Sequence, residues 1–239
     1  MQQIVRTHDA FYIDENRYEK PKQMFTQIID DIRKTGGTEQ AVIVDFGCAA
    51  GEFAYALSKN FTAATIEGYD LLPELIEKAR HVVPQAKFFV GSITDSNLCV
   101  KGHADFTLCT GVLSIFDAFE PIIDNLLKWT KPGGHVFLQG LFNDWPVDVN
   151  IKYNMSDDYG KGVLEAGWNV FSKKSVATWL DKRADVAGFE WNNFEISVDL
   201  PRLDDPVRSW TLLDIEGKRV ITNGLCLMQP HSILKIAKK

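Results

Sequence analysis

The stretch that most limits what this chain can fold into is residues 42–51, VIVDFGCAAG. An apolar run ends in Asp45, and a loop of small residues follows at once. Further along, a second apolar run, ATIEGY, ends in Asp70. A strand, a tight loop, a helix and a second strand that ends in an acid are typical of a nucleoside-binding half-site. The pattern predicts a ligand at the carboxyl ends of parallel strands.

The charges around this loop indicate a ligand without phosphate groups. A dinucleotide site has a third glycine at position 52 and a helix N-terminus that receives a pyrophosphate. Here that position is Glu52, and Asp45 adds a second negative charge. Both would repel a pyrophosphate, which disfavours a nicotinamide oxidoreductase. S-adenosylmethionine carries a sulfonium and an ammonium group and no phosphate, so it suits the loop better.

These motifs resemble those of the class I S-adenosylmethionine-dependent methyltransferases. DFGCAAG is similar to the family's first motif, acid-x-Gly-x-Gly-x-Gly, with Ala49 in place of the middle glycine. GYD at 68–70 looks like the second motif. The similarity continues in the family's order through FFVGSITD (88–95), ADFTLCTGVLSIFD (104–117) and LLKWTKPGGHVFLQG (126–140).

The resemblance implies a fold and an activity. The expected fold is α/β, a Rossmann-like seven-stranded methyltransferase sheet in the order 3-2-1-4-5-7-6, with the last strand antiparallel and a small cap built from insertions. The expected protein is an S-adenosylmethionine-dependent methyltransferase of the EC 2.1.1 type. The alternation of apolar runs and helical patterns independently predicts a parallel sheet covered on both faces, but not the strand order.

Local patterns predict the individual elements. Strands are expected near 41–46, 63–69, 86–90, 104–110 and 134–141, and helices near 22–34, 51–59, 73–82 and 118–130. Ser172 is expected to cap a further helix that runs to Gly188, because serine side chains accept hydrogen bonds at helix starts and glycine ends helices. A strand at 189–200, a hairpin turned near 216–217 and a final strand within 226–239 complete the pattern.

The organisation expected from the sequence is one methyltransferase domain, 1–239. Its N-terminal part, 1–38, is interpreted as a helical flap. Two polar, aromatic stretches break the strand–helix rhythm, at 142–171 and 201–222. Long segments without clear elements in a compact domain are commonly lids or binding segments. We interpret both as insertions on the acceptor side.

The composition of the chain disfavours several classes of binding partner. The net charge of −6 disfavours a nucleic-acid partner, which needs a basic surface. No apolar run approaches the roughly 20 residues of a membrane-spanning helix, and the N-terminus lacks the apolar core of a signal peptide. The four cysteines show no metal-binding spacing. The sequence thus predicts a cytoplasmic protein with no metal and no membrane contact, and it leaves a homodimer open.

The resemblance assigns the cofactor site. Asp45 is expected near the methionyl end, and Asp70 is expected to accept two hydrogen bonds from the ribose diol. The alternative for Asp70 is an N-cap for the helix that starts at Pro73. Family members often have an acid where Ser92 stands, so Asp95 is a second candidate for the adenine contact. The full set of expected cofactor residues is Tyr18, Asp45, Gly47, Ala49, Gly51, Asp70, Leu71, Ser92, Ile93, Thr110 and Gly111. For Tyr18 the sequence leaves open whether it closes over the cofactor or packs the cap.

The chemistry lacks an obvious base. Family members often have a histidine where Ser114 stands, and a serine hydroxyl is no base at neutral pH. Methyl transfer needs alignment, and it needs a base only for acceptors that must lose a proton. The candidate catalytic residues are Tyr153, Asp144 and His8.

The expected activity is methyl transfer to an oxygen or nitrogen of a small polar acceptor. Stretches at 146–153 and 167–172 resemble methyltransferases of surface-polysaccharide pathways, which implies a sugar or polysaccharide precursor. The alternative is an S-adenosylmethionine-binding regulatory protein without methyltransferase activity. This alternative is favoured by Ala49 and Ser114, which differ from the residues that the family often has at these positions.

Overall fold

The computed structural model describes residues 12–14, 16–162, 164–205, 207–225 and 227–239. Within these ranges the helices are α1 (Gln23–Thr35), α2 (Glu52–Asn60), α3 (Pro73–Val82), α4 (Glu120–Trp129) and α5 (Lys173–Leu180). The strands are β1 (Val42–Phe46), β2 (Thr65–Asp70), β3 (Lys87–Val90), β4 (Ala104–Thr110), β5 (Thr130–Asn143), β6 (Lys152–Tyr153), β7 (Glu165–Ala166), β8 (Phe171–Ser172), β9 (Val186–Asn193), β10 (Trp210–Leu213), β11 (Arg219–Thr222) and β12 (His231–Lys238). None of the described helices is long and apolar enough to cross a membrane.

The main sheet has the strand order β3-β2-β1-β4-β5-β12-β9. The first five strands in this order run parallel to one another. β12 is antiparallel to both β5 and β9. Since β12 and β9 are the seventh and sixth strands of the expected sheet, the predicted order and the antiparallel last strand are confirmed. The short β8 pairs with the end of β5.

Two apolar cores cover the two faces of this sheet. On one face α1, α2 and α3 pack on strand residues such as Ile43 and Phe137. Buried Ile28 and Ile32 of α1 lie one helical turn apart, which explains why this segment folds as an amphipathic helix. On the other face α4 and α5 pack on residues such as Val44. Strands buried on both faces carry near-continuous apolar runs, as β1 does.

The structure corrects three predicted boundaries. The strand expected at 189–200 is β9, which runs from Val186 to Asn193. α5 begins after Ser172, whose side chain accepts from the amide of Lys174 at 3.1 Å as predicted, but the helix ends at Leu180. Gly188 lies inside β9, opposite Ala237 of β12, because a strand that completes the sheet outweighs local helix propensity. β5 starts at Thr130 rather than 134, since Thr130 pairs with Ala104 across a register shift.

The two polar stretches contain small sheets of their own. The segment after β5 carries the antiparallel pair β6–β7 and a bridge between Val149 and Val170. The later stretch carries the antiparallel hairpin β10–β11. Its turn contains Gly217 with φ +80°, so the predicted hairpin near 216–217 is confirmed.

Candidate active site

The loop between β1 and α2 is held in a left-handed conformation against two other loops. Gly47, Ala49 and Gly51 have φ values of +82°, +45° and +83°. A methyl group on Gly47 would lie 2.2 Å from Cγ2 of Val112, in the loop after β4. Only glycine therefore fits at position 47, and the loops after β1 and β4 touch at this point.

Asp70 fixes this loop from the end of β2. Its Oδ2 accepts a hydrogen bond from the amide of Ala49 at 2.9 Å, and its Oδ1 accepts from the amide of Leu72 at 3.0 Å. A non-glycine residue in the left-handed region costs about 1–2 kcal/mol, and the charged hydrogen bond to Asp70 offsets it. The N-cap position of α3 is held by Leu72 rather than by Asp70, whose Oδ1 instead accepts from the amide of Leu72.

Asp45 is a buried carboxylate with an unsatisfied oxygen. Its side chain is 1% exposed, and Oδ1 has no hydrogen-bond partner among the described residues. Burial, and then repulsion from Asp70, raise the pKa of Asp45 to about 7, while Lys22 opposes the shift. A ligand that brings N–H donors or positive charge would satisfy this oxygen, which fits the expected cofactor.

The loops after β2 and β3 carry the residues that are expected to meet the adenine. Leu71 is 63% exposed at the end of β2. The Ser92 hydroxyl bonds to Oγ1 of Thr94 at 2.7 Å, whereas Ile93 is buried. The exposed Asp95 accepts from the amide of Asn97 at 2.9 Å. Both candidates for the adenine contact thus already have local partners.

At the ends of β4 and β5 the structure reveals a polar pair that sequence reasoning missed. Thr110 is half-buried, and the exposed Gly111 donates its amide to the carbonyl of Gln139 at 3.1 Å. Gln139 is 1% exposed, and its Nε2 lies 2.6 Å from Nδ1 of His231. The signal was visible in the sequence, because Gln139 interrupts the apolar run of β5, HVFLQGLF.

Ser114 has a structural contact where the family often places a histidine. Its buried hydroxyl accepts from the amide of Leu141 at 3.1 Å. Its carbonyl accepts from the amide of Asn169 at 2.7 Å. Ser114 therefore joins the loop after β4 to β5 and to the segment 142–171.

The segment before α1 lies over the loop after β1. The buried Tyr18 donates its hydroxyl to the carbonyl of Ala50 at 2.8 Å, and the amide of Arg17 donates to Oε1 of Glu52 at 2.7 Å. Burial, and then the charge of Glu52, raise the pKa of Tyr18 to about 12. Both contacts attach this segment directly to the loop whose glycines mark the site.

The catalytic candidates have separate partners. Tyr153 donates its hydroxyl to Oε2 of Glu165 at 3.2 Å, across the pair β6–β7. Asp144 is 77% exposed and forms an ion pair with Lys173 at 2.6 Å. His8 lies outside the described residues.

A model of the methyltransferase domain family matches residues 21–191, so the chain belongs to that family. Together with the sheet order, this places the chain among the class I S-adenosylmethionine-dependent methyltransferases.

Two curated relatives and one solved structure illustrate the similarity. Malonyl-[acyl-carrier protein] O-methyltransferase of Halalkalibacterium halodurans is 28% identical over 121 residues, which cover 48% of this chain and 44% of that protein. Trans-aconitate 2-methyltransferase of Delftia acidovorans is 28% identical over 98 residues, 41% of this chain and 37% of that protein. The chain thus spans less than half the length of these relatives.

The solved structure supports the fold over nearly the whole chain. It is the complex between the Haloferax volcanii Trm112 methyltransferase activator and a methyltransferase, and it matches with a TM-score of 0.64. The identity is 14%, and the match covers 96% of this chain and 94% of that one.

Proposed function

We propose that this protein transfers a methyl group from S-adenosylmethionine to an oxygen or nitrogen of a small polar acceptor. The observation that carries the proposal is the unsatisfied Oδ1 of buried Asp45, beside the glycine loop at the carboxyl ends of β1 and β4. Ligands of open parallel sheets bind at this edge, and an unsatisfied buried carboxylate favours a cationic one.

The cofactor would be held by residues of neighbouring strand ends. A carboxylate has about four acceptor sites, so Asp70 can accept from a ribose diol while it keeps the amides of Ala49 and Leu72. The exposed Leu71 offers apolar surface to the purine, with Ser92 and Ile93 at the next strand end. Asp45 of β1, and Thr110 and Gly111 at the end of β4, would face the methionyl part of the cofactor.

When bound, the cofactor supplies a methyl group on a sulfonium, whose leaving group is neutral and needs no acid. The task of this chain is then to align the acceptor and to exclude water, and alignment can lower a barrier by roughly 7–11 kcal/mol. We assign the alignment to the segments 142–171 and 201–222, and the exclusion of water to the flap within 1–38. In this scheme Tyr153 contacts the acceptor and Asp144 lies at the mouth of the pocket.

We infer that the acceptor atom does not need a general base to remove a proton from it. Burial lowers the pKa of His231 to about 4, and its Nδ1 is occupied by Gln139. The Ser114 hydroxyl is also engaged. A carboxylate is already ionised at neutral pH and needs no base. The names of the two curated relatives, which act on malonyl and trans-aconitate groups, support a carboxylate as well as the sugar precursor that the sequence suggested.

A labelled-methyl assay tests the proposal. The chain is incubated with radiolabelled S-adenosylmethionine and, separately, with small polycarboxylic acids, sugars, sugar phosphates and amines. We expect transfer to one of these classes, and a large loss of transfer in Asp45→Asn, which keeps the shape of the side chain but removes its charge. Transfer to the acids alone would exclude the sugar precursor.

Two results would contradict the proposal. Cofactor binding without transfer to any class would favour the regulatory alternative, which the enzyme names of the relatives do not support. Tighter binding of NAD than of S-adenosylmethionine in calorimetry would exclude the cofactor assignment. The homodimer and the cytoplasmic location stay predictions, and light scattering of the purified chain tests the former.

A further inference from the structure

Gln139 is a polar residue in an apolar position. It lies in β5 between buried Leu138 and Gly140, and its side chain is 1% exposed. A buried amide group without a hydrogen-bond partner is unfavourable, so its presence in a native structure calls for a partner such as a water, an ion or a ligand. Here Oε1 has no partner among the described residues.

His231 fixes the orientation of this amide. Nε2 of Gln139 is a donor only, so Nδ1 of His231, 2.6 Å away, must accept. β5 and β12 place Gln139 opposite Ile233 and Leu141 opposite His231, which brings both polar side chains to the same face of the sheet. Because burial keeps the imidazole neutral, it stays an acceptor throughout the physiological pH range. Oε1 therefore points away from His231.

The free oxygen lies at the edge of the cofactor site. A methyl group built on Gly111 would be 3.9 Å from Oε1 of Gln139. The sheet order β2-β1-β4-β5 puts Asp70 at one end of this edge, Asp45 next to it and Gln139 at the far end. The two unsatisfied oxygens, of Asp45 and Gln139, are both acceptors. A ligand that satisfies the oxygen of Gln139 must bring a donor to the end of the site remote from Asp70.

We propose that Oε1 of Gln139 accepts a hydrogen bond from the α-ammonium group of the cofactor's methionyl part, with His231 as the positioning residue that holds the amide. The inference rests on the proposed cofactor site. If Asp70 holds the ribose at β2, the amino-acid end extends along the strand ends toward β4 and β5. An ammonium group carries only N–H donors, which is what the unpartnered amide oxygen of Gln139 requires.

Calorimetry with two cofactor fragments tests this. S-adenosylhomocysteine keeps the ammonium group, whereas 5′-methylthioadenosine lacks the amino-acid part. Gln139→Met retains the length of the side chain but has no acceptor oxygen. We expect it to weaken S-adenosylhomocysteine by about tenfold or more, the scale of a charged hydrogen bond. Binding of 5′-methylthioadenosine is expected to stay within about twofold. Gln229→Met, at another buried glutamine, is the matched control and changes neither.

Substitutions at His231 separate positioning from packing. His231→Asn keeps an acceptor near the place of Nδ1 and is expected to preserve the affinity for S-adenosylhomocysteine. His231→Leu removes the acceptor and is expected to weaken that affinity selectively. These variants also keep the test open if Gln139→Met does not fold.

Three results would overturn the inference. They are unchanged affinity of Gln139→Met for S-adenosylhomocysteine, an equal loss for both fragments, and equal behaviour of the two His231 variants. Failure of the proposed function can be distinguished from failure of this inference. A chain that binds S-adenosylhomocysteine but methylates nothing can still be compared with Gln139→Met by calorimetry. Failure of the wild type to bind either fragment would exclude both proposals.

Discussion

At the scale of single residues, Asp45 links cofactor affinity to pH. Its pKa of about 7 in the free protein means that the carboxylate is largely protonated below neutral pH. A cationic ligand binds the ionised form better, so affinity should rise as pH increases through about 7 and level off above it. Asp70 and Lys22 are the charged groups that act on Asp45, the first raising and the second lowering its pKa.

Calorimetry of S-adenosylhomocysteine from pH 5.5 to 8.5 measures this dependence. We expect an affinity increase of up to about tenfold per pH unit below pH 7, the limit for one coupled proton. Asp45→Asn should bind more weakly at pH 8 and show no such rise. A flat wild-type profile, or the same rise in the variant, would show that another group titrates.

Asp70 carries a second prediction at this scale. Asp70→Ala should weaken binding of S-adenosylhomocysteine by about 1.5–3 kcal/mol, the usual size of a charged hydrogen bond. Because 5′-methylthioadenosine keeps the ribose, its affinity should fall as well, unlike in Gln139→Met. The variant also leaves the amide of Ala49 without its partner, so a modest decrease in melting temperature is expected. Unchanged affinity with a lower melting temperature would make Asp70 purely structural.

At the scale of elements, Asn169 attaches the segment 142–171 to the loop after β4. Its side chain is fully buried, accepts from the amide of Ile151 at 2.7 Å and donates to the carbonyl of Phe116 at 2.7 Å. Asn169→Ala removes the side-chain partner of two partly buried backbone groups, so we expect a loss of about 1–3 kcal/mol in the free energy of unfolding. Urea unfolding measures it, with Asn154→Ala as control. Equal stability of the two variants would show that other contacts hold the segment.

Tyr153 tests whether the same segment selects the acceptor. Tyr153→Ala should lower kcat or raise the acceptor's KM, whereas affinity for S-adenosylhomocysteine stays within a factor of about three, since this residue lies outside the strand ends that hold the cofactor. Tyr153→Phe removes only the hydroxyl bond to Glu165 and separates hydrogen bonding from ring contact. Normal acceptor kinetics in both variants would remove Tyr153 from the site.

The same elements show what the sequence can reveal. β1, its loop and β2 follow local rules, namely apolar runs, positive-φ glycines and a terminal acid, and they were predicted closely. The end of α5 was not, because the fate of Gly188 depends on pairing with β12, far along the chain. Gln139 was overlooked for a similar reason, since its meaning depends on His231 across the sheet. Long-range partners of polar residues leave only an interruption of an apolar pattern in the sequence.

At the scale of the whole molecule, the position of β12 determines when the main sheet can be completed during synthesis. β12 is made after β5 and β9, yet it lies between them. While residues 231–238 are still inside the ribosome, β5 lacks its neighbour on this side and β9 lacks its partner strand in the sheet. Unpaired strand edges of this kind invite wrong pairing. The same strand delivers His231 to Gln139. The arrival of β12 therefore pairs both of these edges and brings His231 to Gln139 in one event.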